Sequence, residues 1–397
     1  MQRIWRKHPG QKSVLMLIKT RGLWYDDRVR KEALTLLGMG MDVRVVALED
    51  ANQRYAGIVH DRISVRTVRL RSRTWLPSGK GLVAKVLELC GRFLVEILRA
   101  EPDVVWIHNL ELAGLIPVVR VLRTAGKVSR LVWDQHELPA DRLLRSRAFR
   151  VLFAWLLSAC DCIVMASEER KQLVAGLLGD HLRFSVEVLQ NYPDQHFLEA
   201  PVAELPAEVE SWLDGHSYVL AQGGASPGRG LFQLVEAVLG VERLKLVVVG
   251  PYSSRTLDEL RGCHGTDFAN RVLFTGMVPQ MDVLPYIDHA LASAVLYEPT
   301  NYNALLCAPN RLYQAIARGT PVLVSPNPPM AAFVQSHGCG VVVSGERIRA
   351  CGLRAALREV MVRSTELRRN ALRCRSGLAW ETQLSTLKRI VSIKGEV

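Results

Sequence analysis

Residues 297–324 read YEPTNYNALLCAPNRLYQAIARGTPVLV. The last half of this stretch has a fixed order: loop, helix, Gly, strand. Pro309 suits a first helical turn, where its missing N–H would be unpaired anyway. Gly319 sits where a helix stops in the left-handed conformation, and Pro321 follows. The punctuation predicts a helix over residues 309–318. Leu312 and Ile316, four residues apart, share a face for packing on a sheet. Arg311 and Gln314, three apart, share another side. A helix start carrying Asn310 and Arg311 is fit to hold an anion.

The same alternation runs through the rest of the chain. SVLMLI, DVRVVAL, DVVWIH, RLVWDQ, CIVMAS and VEVLQN read as strands, separated by helical patterns such as 27–39 and 81–100. After Asn191 a stretch rich in Pro and acidic residues interrupts the rhythm. It restarts with SYVLAQGG, LKLVVVG, RVLFTG, HALASAVLY, TPVLVS and GCGVVVS. Strands alternating with helices imply parallel sheets covered on both faces. We therefore expect an α/β protein with two doubly wound domains, 1–195 and 196–376. A terminal amphipathic helix over 377–397, marked by Trp380, Leu384, Leu387 and Val391, is expected to cross back to the first domain.

The 397 residues carry a formal net charge of +12, unevenly placed. Residues 1–190 hold 31 basic and 20 acidic side chains; the remainder holds 20 and 19. Residues 62–99 hold nine basic side chains against Glu88 and Glu96. Such a run is either a plain solvated surface or a contact for anionic lipid or another polyanion. Only Trp75 and Phe93 are interleaved with it, so no stacking platform for nucleic acid is visible. The eight cysteines form no CxxC pair, and Cys160 and Cys162 read as two small buried residues. The best apolar window, 151–166, is interrupted by Asp161 and short for a membrane span. The expected setting is the cytoplasm.

Three further segments could carry chemistry. AQGGASPGRGLFQLVEAVL, 221–239, ends a strand in Gly223 and Gly224, then runs through Arg229 and Gly230 into a helix. Glycines admit a phosphate close to the backbone, and Arg229 adds a planar cation; a plain strand-to-helix turn is the alternative. In VWDQHELP, 132–139, Asp134, His136 and Glu137 lie at a strand's carboxyl end, which suits proton handling or sugar recognition. The alternative is that Asp134 caps the next segment and His136 is structural. No second His or Cys has metal-ligand spacing there. In 19–46, Asp26 or Asp27 could cap a helix whose Arg28 and Lys31 either face a partner anion or form ordinary helix surface.

Taken in order, these segments resemble the GT-B glycosyltransferases of family 4. DDRVRKEALTLLGMGMDVRVV is similar to that family's opening Asp-x-Arg-Val helix, and VWDQHELP to its His-Glu loop. VLQNYPD is similar to the stretch before its second domain, and GRGLFQLVEAV to its donor loop. APNRLYQAIARGTPVL resembles a PNK-type signature in one branch. The resemblance implies two Rossmann-like domains facing across a cleft and transfer of a sugar with retention of configuration. The donor would be a UDP- or GDP-sugar. Its implied donor site comprises Gly223, Gly224, Arg229, Gly230, Asn310, Arg311 and Gln314, with His136 and Glu137 at the transferred sugar. No metal is expected, since arginines and helix dipoles neutralise the diphosphate. The acceptor would be a lipid-linked glycan of surface polysaccharide or lipopolysaccharide. Arg69, Arg71, Arg73, Lys80 and Lys85 would meet it, or the anionic inner face of the membrane. The commoner family signature carries Glu at the positions of Leu306 and Gln314; the PNK-type branch usually lacks the first but not the second, which leaves a catalytically decayed binding or scaffold protein as the alternative.

Overall fold

The computed structural model describes residues 10–19, 26–48, 62–76, 81–135, 137–179, 185–224 and 227–393. The chain divides into two compact units. One is Met1–Gln190 with Gln383–Val397, the other Asn191–Thr382. The domain limits expected from sequence were 195 and 376.

The N-terminal unit carries β1 (Ser13–Ile18), β2 (Asp42–Leu48), β3 (Ser64–Val68), β4 (Val104–His108), β5 (Arg130–Gln135), β6 (Cys162–Met165) and β7 (Ser185–Val188). They form one parallel sheet in the order β3-β2-β1-β4-β5-β6-β7. β1 is buried at every position. That is what a strand covered by helices on both faces requires. β3 was absent from the sequence reading. It is an edge strand, SVRTV, with three polar residues among five, so its apolar content is low.

The C-terminal unit carries β8 (Ser217–Gln222), β9 (Leu244–Val249), β10 (Val272–Gly276), β11 (Ala292–Val295), β12 (Val322–Val324) and β13 (Gly340–Val342). Its parallel sheet runs β10-β9-β8-β11-β12-β13. Two apolar clusters cover it. One holds Leu312 and Ile316, and the other holds Leu234, Val238 and Leu353. In both sheets the winding reverses beside the first strand, between β1 and β4 and between β8 and β11. In open α/β sheets ligands bind beyond the carboxyl ends at this reversal.

The helix from the opening stretch spans Asn310–Ala317. Gly319, at φ +80°, ends it. Its N–H donates to Ile316 O at 2.9 Å, and Thr320 N–H donates to Ala315 O at 2.9 Å. These two bonds are the Schellman closure, which needs a residue free of left-handed strain at Gly319. The tail is shorter than the sequence suggested. Trp380 is buried in a 3₁₀ turn within the C-terminal unit, where its N–H donates to Pro193 O. The helix is only Leu384–Val391, with Leu387, Ile390 and Val391 inward and Leu384 exposed. It belongs to the N-terminal unit, where Arg130 Nε donates to Ile390 O at 2.6 Å.

Candidate functional site

Beyond β8 and β11 two arginines converge. Gly223 and Gly224 turn the chain at positive φ, and Gly223 N–H donates to Val249 O at 2.7 Å. A side chain at Gly223 would be strained at this φ and would crowd the arginines. A Cβ on Gly223 would stand 3.1 Å from Arg229 Nη1 and 3.7 Å from Arg311 Nη1. Both guanidinium groups also face the ring of Tyr297, at 5.6 Å for Arg229 and 4.8 Å for Arg311. An aromatic face holds cations by its quadrupole, and it lets two like charges approach one place.

Arg311 reaches this point from the first turn of its helix. It is 7% exposed and donates through Nη1 to Gln222 O and through Nη2 to Leu296 O. Its Nε is buried without a hydrogen-bond partner. Burial lowers its pKa and nearby Arg229 lowers it further, while Tyr297 opposes them. A buried guanidinium with an unsatisfied N–H beside a second cation favours an anion. Arg229 is half-buried in the 3₁₀ turn Pro227–Arg229, and Gly230 is buried against Ile348.

Gln314 lies one turn further along and is 3% exposed. Its Oε1 accepts from Gln222 Nε2 at 3.2 Å, while Gln222 Oε1 has no partner. Arg311 and Gln314 therefore share a side, as their spacing requires, and both meet Gln222 at the end of β8. Asn310 opens the helix and is half-buried. Behind it Tyr297 N–H donates to Ser325 Oγ at 2.9 Å, Ser325 donates to Asn327 Oδ1, and Asn327 Nδ2 donates to Ala304 O at 2.7 Å. Gln222 and Tyr297 were not singled out in the sequence. Tyr297 follows a strand at the winding reversal, and that position was its available signal.

The N-terminal unit holds a different cluster at its own strand ends. His136 lies outside the described residues, and Glu137 is exposed. Asp134 does not cap the next helix. It is fully buried in β5 and takes Arg28 Nε at 3.0 Å and Nη2 at 3.2 Å. Arg28 Nε also stands 3.0 Å from Glu32 Oε1, and its Nη1 donates to Leu189 O at 2.6 Å. His108 lies 3.9 Å from Asp134 Oδ2 and 3.7 Å from Glu32 Oε2. Arg28 and Lys31 are thus core residues, not helix surface. Lys31 Nζ pairs with Asp27 Oδ2 at 2.8 Å, and Asp26 is the cap, accepting from Val29 N–H at 3.3 Å. Burial, then the charge of Asp134, pushes the Glu32 carboxyl well above the ordinary glutamate range, against the pull of Arg28. Ligand-type atoms of Glu32, His108 and Asp134 lie within 4.8 Å of one another. Arg28 already supplies the positive charge that a metal would bring.

Asn109, next along the chain, holds φ +72° and ψ +144°, a region nearly restricted to glycine. Its Oδ1 accepts from Lys19 N–H at 2.9 Å, which joins the ends of β1 and β4 at the reversal. Among the five basic residues expected to meet the acceptor or membrane, Arg69 and Arg71 are exposed, Arg73 and Lys85 are half-buried, and Lys80 lies outside the described residues. Glu88 organises this region. It accepts from Arg71 N–H, Ser72 N–H and Arg92 Nε, each at 2.8 Å. Burial opposes its ionisation, but these hydrogen bonds hold its pKa down at about 2.

No protein-family model and no curated protein matches the chain. Solved structures do. Sucrose-phosphate synthase from Thermosynechococcus elongatus superposes with a TM-score of 0.70 at 16% identity, covering 96% of this chain and 98% of that one. Anabaena HepE in complex with UDP and glucose gives 0.68 at 13% identity, covering 96% and 99%. A glycosyltransferase from Rickettsia africae gives 0.68 at 12%, covering 98% and 100%. Two doubly wound parallel sheets of seven and six strands, matched over nearly the whole length, make this fold the GT-B architecture.

Proposed function

We propose that this protein is a glycosyltransferase that takes a sugar from a UDP- or GDP-sugar and passes it, with retention, to a lipid-linked glycan acceptor. The convergence of Arg229 and Arg311 over Gly223, against the Tyr297 ring, carries the reading. The similar structures of Anabaena HepE hold UDP and UDP-glucose, which supports a nucleotide diphosphate as the anion. Charge builds on the diphosphate as the glycosidic bond breaks. Fixed cations in a partly buried site stabilise that charge without reorganising. Asn310 and Arg311 lie in the first helical turn, whose N–H groups lack partners within the helix and add to this field. Gln314 would meet the ribose as a neutral donor and acceptor, and His136 and Glu137 the sugar. The cationic N-terminal half supports an acceptor with an anionic lipid part, at the inner face of the cytoplasmic membrane, in surface polysaccharide or lipopolysaccharide synthesis.

The test is nucleotide release from UDP- and GDP-sugars over membrane extract. Release is expected with one donor. Arg229→Ala should lower it about 10- to 100-fold, the size of a charge-assisted hydrogen bond. Turnover unaffected by that change would sink the assignment.

One observation favours a second reading, a binding or scaffold protein whose donor site has decayed. Gln314 Oε1 is already occupied by Gln222. Gln314→Glu separates the two. A decayed site gains about tenfold or more in donor affinity from the regained charge, whereas an adapted site changes little.

A further inference from the structure

Three helices of the N-terminal unit are apolar on the side where a surface is ordinarily polar. Helix Leu82–Ala100 turns Leu89, Phe93, Ile97 and Ala100 into the core. Opposite them Ala84, Leu87, Gly91, Val95 and Leu98 follow helical spacing, and all are exposed. Leu87 is 67% exposed and Leu98 49%. A helix apolar on two opposite faces has one face that the unit itself does not cover.

Two later helices repeat the pattern. Ile116–Thr124 buries Ile116 and Val119 and exposes Val118 and Val121. Arg147–Ser158 buries Phe153, Leu156 and Leu157 and exposes Val151, Leu152 and Trp155. The connections β3 to β4, β4 to β5 and β5 to β6 all cross the sheet in the same direction. Right-handed crossovers therefore put all three helices on one face. Trp75, 85% exposed, leads into the first. Among the described residues eighteen large hydrophobic side chains are exposed, and eleven of them lie from Trp75 to Trp155. That concentration makes a patch rather than ordinary scatter.

Its charge identifies what covers it. Residues 62–99 carry nine basic against two acidic side chains, Arg142 and Arg145 precede the third helix, and Arg147 and Arg150 lie in its first turn. A second copy would bring the same positive surface against this one, and like charges facing each other oppose pairing. An anionic bilayer satisfies both features, since phosphate meets arginine and the acyl boundary meets the apolar stripes. Among the described residues no helix is long and apolar enough to cross a membrane, so the contact is with the surface.

We propose that this helical face docks flat on an anionic lipid bilayer, with Trp75, Leu87, Val95 and Leu98 seated at the boundary of headgroup and acyl chain. The inference rests on the proposed lipid-linked acceptor and adds the surface that brings the protein to it.

Flotation of the full chain with phosphatidylcholine vesicles, with and without phosphatidylglycerol, tests it, with nucleotide binding followed by calorimetry on the same samples. The wild type should float with the anionic vesicles, and the double variant Leu87→Glu/Val95→Glu should lose about tenfold or more in partitioning while binding UDP or GDP as the wild type does. Trp75→Ala should give a smaller loss in the same direction. Three outcomes overturn the docking face: no flotation of the wild type, a double variant that floats like the wild type, or a lipid-free wild-type dimer that the double variant dissociates. Flotation that depends on Leu87 and Val95 without nucleotide binding would uphold the docking face and remove the donor reading alone.

Discussion

Arg28→Met probes the buried network of the N-terminal unit. The guanidinium Nε lies 3.0 Å from both Glu32 Oε1 and Asp134 Oδ2, and the three side chains are 3%, 0% and 0% exposed. At an effective dielectric near 20, the approach to ionised Asp134 is worth roughly 5 to 6 kcal/mol of gross attraction; Glu32, its carboxyl pushed well up, adds less. Desolvation takes back much of it. Methionine retains most of the packing of the stem but leaves Asp134 buried without its cation. Cutting one partner from such a group costs about 3 to 5 kcal/mol. For a unit of about 200 residues, that lowers the melting temperature by roughly 6 to 20 °C. Trp106 and Trp133 are fully buried in this unit, so their emission during urea or heat unfolding reports it. A loss below about 1 kcal/mol, the range of an exposed pair, would refute the claim that Arg28 neutralises the cluster.

Glu32→Gln addresses the same cluster through pH. The folded Glu32 holds its proton above the range where the unfolded chain releases it. Protons bound are then fewer in the unfolded state, so stability falls as pH rises from about 4 toward the raised value. Glutamine should flatten this fall in urea midpoints measured from pH 5 to 8; parallel slopes in the two proteins would contradict it. At Gly319, alanine would take a left-handed conformation and set its Cβ 2.7 Å from Leu372 Cδ2. Gly319→Ala should cost about 1 to 3 kcal/mol, read from the unfolding of the C-terminal unit, and unchanged stability would disprove the closure described.

The sequence made the strands legible because helices on both faces force continuous apolar runs, as in β1 and β9. Pro309 and Gly319 bracketed the helix because each solves a backbone problem at one end of it. β3 escaped because an edge strand can be largely polar, and only Val65 and Val68 of its five residues are apolar. The burial of Arg28 escaped for a different reason. Its partner Asp134 lies 106 residues away, and no local pattern encodes such a pairing. The converging arginines were readable as separate phosphate-type motifs. Their meeting over Gly223 depends on β8 and β11 being neighbours, which is a property of the sheet order. Gln222 is recognised only once that order is known, since it faces both Arg311 and Gln314.

Calorimetric titration of the full chain with UDP and GDP, each beside its nucleoside, tests the two-arginine site most directly. One diphosphate should bind at least about tenfold more tightly than its nucleoside, and Arg229→Ala should remove most of that difference. Equal binding of diphosphate and nucleoside, or a difference that survives Arg229→Ala, would contradict the site.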